Sequence, residues 1–245
     1  MNAMGIAKIF NMLRPLLSNR APEFLARFFL VGLAGLLFAL GACATTRQDA
    51  QVQKLQARSS YEVGMGHFKE NQIGLAQAAV EEAVRLDPGE PTYLNGLGLI
   101  QLQQRRWAEA TLMFTQAIKL SPNYGDAYHH LGVALAESGR WGEAAEAYKK
   151  AVAIPTYPNR AASYHNLGWT YYNLNREKEA EEALGRALQL DPQMAAGHYT
   201  LGLVYEKGRR LSEAGEAFKR AQALEPNGPI GRAASEHLKQ LGLER

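Results

Sequence analysis

Three features of this 245-residue sequence have the residue types and spacing to suggest chemistry: a single cysteine, Cys43, two histidines in similar surroundings, His129 and His165, and the stretch Gly96-Leu97-Gly98. Cys43 is the only thiol, so the chain holds no internal disulfide and any thiol chemistry belongs to that residue. His129 lies in YHHLGVAL and His165 in YHNLGWTY, each three residues before a glycine, which raises the question of a metal-ligand pair. On stacked helices about 8–10 Å apart they would stand too far apart for bonds of roughly 2 Å to one zinc ion. Groove contacts or solvated surface are therefore expected of them, with no metal, and His130 points elsewhere on its helix. Gly96-Leu97-Gly98 sits within a helical pattern rather than after a strand, and no HExxH, GxSxG or phosphate-loop motif occurs. The reading is a chain with no catalytic residues, no cofactor and no small-molecule substrate.

What remains is the thiol, and its position is informative. It follows an apolar run from Phe28 to Leu40, preceded by a basic segment and followed by polar residues, the layout of an export signal. Thirteen residues rise only about 20 Å as a helix, short of a bilayer core of ~30 Å. Leu40-Gly41-Ala42-Cys43 resembles the bacterial lipobox, which implies that residues 1–42 are a signal peptide and that Cys43 becomes the lipidated N-terminus. One acyl chain holds a protein only marginally, at about 0.8 kcal/mol per buried methylene, so a stable anchor needs more than one. The resemblance implies three, and Ala44 in place of the aspartate usual in inner-membrane lipoproteins implies sorting to the outer membrane, on its periplasmic face. Residues 43–56 are read as the lipidated cysteine and a polar tether.

Charge narrows the partners. Lys8, Arg14, Arg20 and Arg27 against Glu23 account for the whole net charge of +3, so the chain from Cys43 onward is neutral. A neutral body with mixed signs lacks the basic face that nucleic-acid binding needs to displace counterions. Acidic runs such as Glu179, Glu181 and Glu182 beside Arg176 and Lys178 read as a solvated convex face with ion pairs along the helix.

From residue 57 the chain repeats. Gly64, Gly98, Gly132, Gly168 and Gly202 follow one another at intervals of 34, 34, 36 and 34. Ala76, Ala110, Ala144, Ala180 and Ala214 keep the same step, as do Ala83, Ala117, Ala151, Ala187 and Ala221. Small residues at fixed places mark close approaches of antiparallel helices. Leu97, Leu131, Leu167 and Leu201, with Phe114, Tyr128, Tyr148, Tyr164 and Phe218, supply the bulk around them. Pro88, Pro122, Pro192 and Pro226 then stop the second helix of a unit. The period and these positions resemble the tetratricopeptide repeat over residues 57–228. The expected fold is all-α: a right-handed superhelical solenoid of five repeats (57–90, 91–124, 125–160, 161–194, 195–228) with a capping helix in 229–245, where Leu238 and Leu241 share one side.

The resemblance also implies a site. Such proteins hold ligands chiefly through the first helix of each unit, on the concave face. Those positions are Tyr61, Met65 and Phe68 in the first unit and Asn95, Leu99 and Leu102 in the second. His129 and Val133 follow in the third, His165, Trp169 and Tyr172 in the fourth, Tyr199 and Leu203 in the fifth. The lining is apolar and aromatic with a few amides and imidazoles, suited to an amphipathic helix or an extended apolar peptide. Met65, Leu99 and Val133 also fit a partly buried role.

The interval of 36 arises in AVAIPTYPNRAASYHNLG, where Pro155 comes one place early and Tyr157-Pro158 adds length; either the prolines stiffen this link and turn the fourth unit slightly, or the extra length is a tolerated loop insertion. A lipobox, these repeats and a Tyr-Pro link before Ala162–Gly168 resemble the pilotins of type IV pili. That implies a partner, a secretin subunit, whose transfer to the outer membrane and multimer assembly the protein assists. The competing readings are a periplasmic adaptor lipoprotein that gathers cell-wall enzymes and an enzyme whose site escapes motif reading.

Overall fold

Helix breakers cut the repeating segment into pieces of near-constant length. Pro88, Pro122, Pro155, Pro192 and Pro226 each stand two residues beyond the end of a helix, where a missing N–H costs nothing. The computed structural model describes residues 48–243 and places eleven helices and no strand among them. They are α1 (48–69), α2 (Ile73–Leu86), α3 (Pro91–Gln103), α4 (Trp107–Leu120), α5 (Gly125–Glu137) and α6 (Trp141–Ala153). Then come α7 (Arg160–Asn173), α8 (Glu177–Leu190), α9 (Ala195–Lys207), α10 (Leu211–Leu224) and α11 (Pro229–Gln240). The leader and Cys43 lie outside the described residues. None of the described helices is long and apolar enough to cross a membrane.

The chain divides into two units, Met1–Leu55 and Gln56–Arg245. Of the first, residues 48–55 are described; they are helical and exposed. Residues 48–56, read from the sequence as tether, therefore belong to α1. Ala, Gln, Lys and Leu are good helix formers, and a helix already nucleated in the first repeat extends through them without needing a packed face.

In the second unit the helices form consecutive antiparallel pairs, α1/α2 to α9/α10, with α11 against the last. Each pair turns the same way. Asn71, Arg105, Gly139, Asn175 and Arg209 take left-handed φ of 57° to 78°, and the residue after each donates its N–H to the carbonyl five back, as in Arg106 N to Gln101 O at 2.9 Å. This is the Schellman closure, which satisfies the orphan carbonyls of the first helix. The second helices then open, from the second pair on, on an Arg–Glu pair three residues apart, Arg106–Glu109, Arg140–Glu143, Arg176–Glu179 and Arg210–Glu213. A glutamate in the first turn suits the helix dipole, while such exposed pairs contribute under about 1 kcal/mol each.

Packing within a pair rests on one recurring contact. A Cβ on Gly64, Gly98, Gly132, Gly168 or Gly202 would stand 2.5 to 2.7 Å from Val80, Phe114, Tyr148, Leu184 or Phe218, the residue sixteen places on. All five of those side chains are buried, as are both alanine series. Between the last pairs, Arg210 reaches Glu181 at 2.6 Å and lies over the Tyr205 ring. At the end of the stack α11 inserts Ala234 and Leu238 beside Phe218, and Leu241 joins the same cluster. His237 stacks on Phe218 at 4.8 Å with its Nδ1 2.9 Å from the Glu206 carboxylate.

The longer link between the third and fourth pairs is anchored. Tyr157 is buried, and its ring fills the place where a side chain on Gly125 would begin, 2.5 Å from an added Cβ. It thus wedges the link against the start of α5, and Pro155, one place early, makes α6 one residue shorter than the other second helices.

Candidate protein-binding face

Curvature identifies the inner side. The first helices touch one another in sequence, α3 to α5, α5 to α7, α7 to α9 and α9 to α11, whereas the second helices mainly touch the first helices on either side. A stack drawn together along one side bends toward it, so the first helices line the concave face.

Polar side chains lace that seam. Asn95 Oδ1 bonds His130 Nδ1 at 2.9 Å, His129 Nδ1 meets Ser163 Oγ at 2.7 Å, and His165 Nε2 meets Thr200 Oγ1 at 3.1 Å. Each contact joins one repeat to the next. Burial pushes His129 and His130 down to about 4, with the neighbouring imidazole adding to the effect on His129 and Asp126 opposing it; burial lowers His165 too. At neutral pH all three are uncharged and able to donate from one ring nitrogen and accept at the other. Asn95 is buried and engaged, and His129 and His165 are spent largely on holding repeats together. Ser163, Thr200 and His130 are members of this network that sequence reasoning missed, because the partners lie 34 or 35 residues apart and only the register of adjacent repeats pairs them.

The apolar positions differ among themselves. Tyr61 packs 4.9 Å from the Tyr93 ring, and with Met65 and Phe68 it lies half-buried against Val80, Leu97 and Ile100. Leu99 and Leu102 lean on Phe114 and Ala110, Val133 on the cluster of the third and fourth pairs, and Tyr199 and Leu203 on Phe218. These are half core, half lining. Trp169 stands out at 38% exposure, its indole stacked on Tyr172 at 5.3 Å and 19°. Lys207 reaches over from α9, its Nζ 4.4 Å from the centre of the Tyr172 ring and bonded to Tyr172 O and Asn175 Oδ1. The face thus offers, on the fourth of its five first helices, a stacked aromatic pair whose indole is exposed and whose phenol ring is half-buried, a feature typical of binding anchors.

Clefts on the other side of the first helices are wider. One of about 840 Å³ is lined by Leu201, Tyr205 and Ala217 with Glu216 and Arg220, and others of about 510 and 280 Å³ lie over the third and fourth pairs. Leu131, Leu167 and Leu201 hold equivalent places in the three, so these clefts express the repeat rather than one specialised site. Among the described residues no three His, Cys, Asp or Glu side chains gather as metal ligands would.

Comparison with known proteins gives the same architecture. Two tetratricopeptide-repeat family models match, one over residues 61–111 and 165–229, the other over 126–193, together more than half of the chain. Among solved structures, PilW, described as a widely conserved type IV pilus biogenesis factor, superposes with a TM-score of 0.69 at 22% identity, over 76% of this chain and 88% of PilW. PilF of Pseudomonas aeruginosa gives 0.64 at 16% identity, over 77% and 93%. YrrB, described as a TPR protein with an unusual peptide-binding site, gives 0.59 at 21%, over 72% and 90%. At these identities the likeness is one of fold. No curated protein matches the sequence.

Proposed function

Because the chain belongs to the tetratricopeptide-repeat family, we propose that it is a binding protein, not an enzyme, whose concave face holds an apolar or amphipathic segment of a protein partner. The observation that carries this reading is the exposed Trp169–Tyr172 stack, an apolar surface that folding leaves uncovered. In this reading Cys43 bears the lipid, the protein hangs from the outer membrane on its periplasmic side, and it acts as a pilotin that brings the type IV pilus secretin to that membrane and promotes its multimers. Two independent features support it: the leader that ends on Leu40-Gly41-Ala42-Cys43, and the likeness in fold to PilW and PilF.

The test is genetic. Deleting the gene is expected to leave secretin monomers made and exported while heat-resistant multimers in the outer membrane, surface pili and pilus-driven motility fall. Undiminished multimers on a denaturing gel, with altered cell shape or lysis instead, would remove the pilotin reading and favour an adaptor of cell-wall enzymes.

A further inference from the structure

Beside the aromatic stack, at the junction of the third and fourth pairs, the concave face holds a small pocket of about 120 Å³. Glu137 from α5, Trp141 from α6, and Asn166 and Trp169 from α7 line it, over the buried Tyr148. At ~30 Å³ per water it has room for about four waters, the space of one long side chain rather than of a helix face.

We propose that this pocket seats one basic side chain, an arginine or a lysine, of the segment bound in the groove, with Glu137 as its counter-charge. The inference rests on the groove reading above and specifies the chemistry of its partner. Three observations carry it. Glu137 is the one ionised group in the lining, and it is exposed and forms no ion pair among the described residues. Its acidic neighbours on α6 are already matched, Glu143 by Arg140 at 2.6 Å and Glu146 by Lys149 at 2.7 Å. Two indoles line the same pocket as the carboxylate, and indole attracts cations more strongly than the other aromatic side chains do. Lys207, the cation that reaches the same aromatic pair, is held by Tyr172 and Asn175 instead.

Other occupants fit less well. An acidic side chain would meet Glu137 with like charge, and an aliphatic one would strip water from the carboxylate without giving it a partner. The junctions on either side lack the arrangement. Gln103, Trp107 and Val133 stand at the places of Glu137, Trp141 and Trp169 one repeat earlier, and Asn173, Glu177 and Leu203 one repeat later. The combination of one glutamate with two tryptophans therefore marks a single register along the groove.

The test uses the full chain, purified from membranes in detergent, and a displayed library of random twelve-residue peptides. Selected peptides are expected to carry Arg or Lys at one shared position among apolar residues. Glu137→Gln should weaken them about tenfold, and should have no further effect on the same peptides once that basic residue is replaced by citrulline or norleucine. Tryptophan fluorescence reads binding directly, since two of the three tryptophans of the chain line the pocket. Because Glu137 is exposed, unchanged circular dichroism is expected of the variant. Peptides that lose affinity on Trp169→Ala but show no basic preference and less than a twofold change on Glu137→Gln would overturn the pocket and leave the groove standing. Peptides indifferent to Trp169→Ala, or a library from which nothing is selected, would overturn the groove and the pocket with it.

Discussion

The ring of Phe114 occupies the place where a side chain on Gly98 would begin, with Cε1 2.5 Å from an added Cβ. Real Cβ atoms do not approach ring carbons so closely. The first and second helices of the pair can lie this near only because one of them presents bare backbone, and Phe114 fills the gap completely, with no exposed surface of its own. The same relation holds in every pair, with Tyr148 on Gly132 and Phe218 on Gly202.

Two glycine substitutions should consequently act in opposite directions. Gly132→Ala pushes a methyl to 2.6 Å from the buried Tyr148 ring and is expected to destabilise by about 1–3 kcal/mol. Gly185, inside α8 with nothing within 4 Å of its added Cβ, should gain about 0.5–1 kcal/mol from the same change, because alanine restricts the unfolded chain and favours the helix. Thermal melts followed by circular dichroism compare the two. A Gly132→Ala midpoint at or above wild type would contradict the packing described.

The turns offer a second pair of changes. Arg105 and Arg209 both sit at φ 58°, a conformation that costs an L-residue roughly 1–2 kcal/mol. Glycine there relieves that cost and gives back part of it in unfolded-state entropy, so Arg105→Gly and Arg209→Gly should each stabilise by about 0.5–1 kcal/mol. Asn71→Gly should gain less, since asparagine tolerates this region. Urea melts with unchanged slope would register the difference.

These cases indicate what the sequence made legible. The glycine and alanine series could be read because close packing demands a small residue at a fixed place in each repeat. The left-handed turn keeps the same period, yet it is filled by Asn, Arg, Gly, Asn and Arg in turn. Backbone bonds impose that conformation, and no side chain announces it. The helical state of residues 48–56 was hidden for a related reason, since a helix extending from a packed one needs no apolar face. The groove positions were legible as positions only. Whether His129 faces a ligand or Ser163 depends on the register between repeats, which a single chain read along its length does not display.

Acid should loosen the seam. His129 and His130 titrate near 4 in the folded chain and near 6.5 when unfolded, so below that value the unfolded state binds more protons. Their contribution is complete above pH 6.5 and is lost as pH falls toward 4, at about 3 kcal/mol per imidazole. Urea melts at pH 7.0, 5.5 and 4.5 should show a falling midpoint. The double variant His129→Gln, His130→Gln should start lower and flatten the profile, and an unflattened one would place the titration elsewhere, in the surface carboxylates.

Cys43→Ser removes the only thiol and is expected to abolish lipidation, leaving either uncut precursor in the inner membrane or soluble protein. Metabolic labelling with palmitate and membrane fractionation follow both. Wild-type protein recovered soluble and without acyl chains would sink the lipoprotein reading and would leave the groove untouched.

The aromatic stack should matter for binding more than for folding, and the half-buried leucines the other way round. Truncating Trp169, 38% exposed, leaves the core clusters intact, and Tyr172 touches them only at the edge. Trp169→Ala with Tyr172→Ala is therefore expected to keep the helical content near wild type. Under the pilotin proposal it should cost at least ~2 kcal/mol of binding to purified secretin monomer, about thirtyfold, because a few aromatic anchors usually dominate such interfaces. Leu102→Ala removes a side chain that leans on Ala110 and Phe114 and should lower stability by about 1–3 kcal/mol with a smaller loss of affinity. Measuring affinity and melting point for both variants separates lining from core. Equal affinity for the double variant and wild type would mean that the secretin, if it binds, does so away from the concave face.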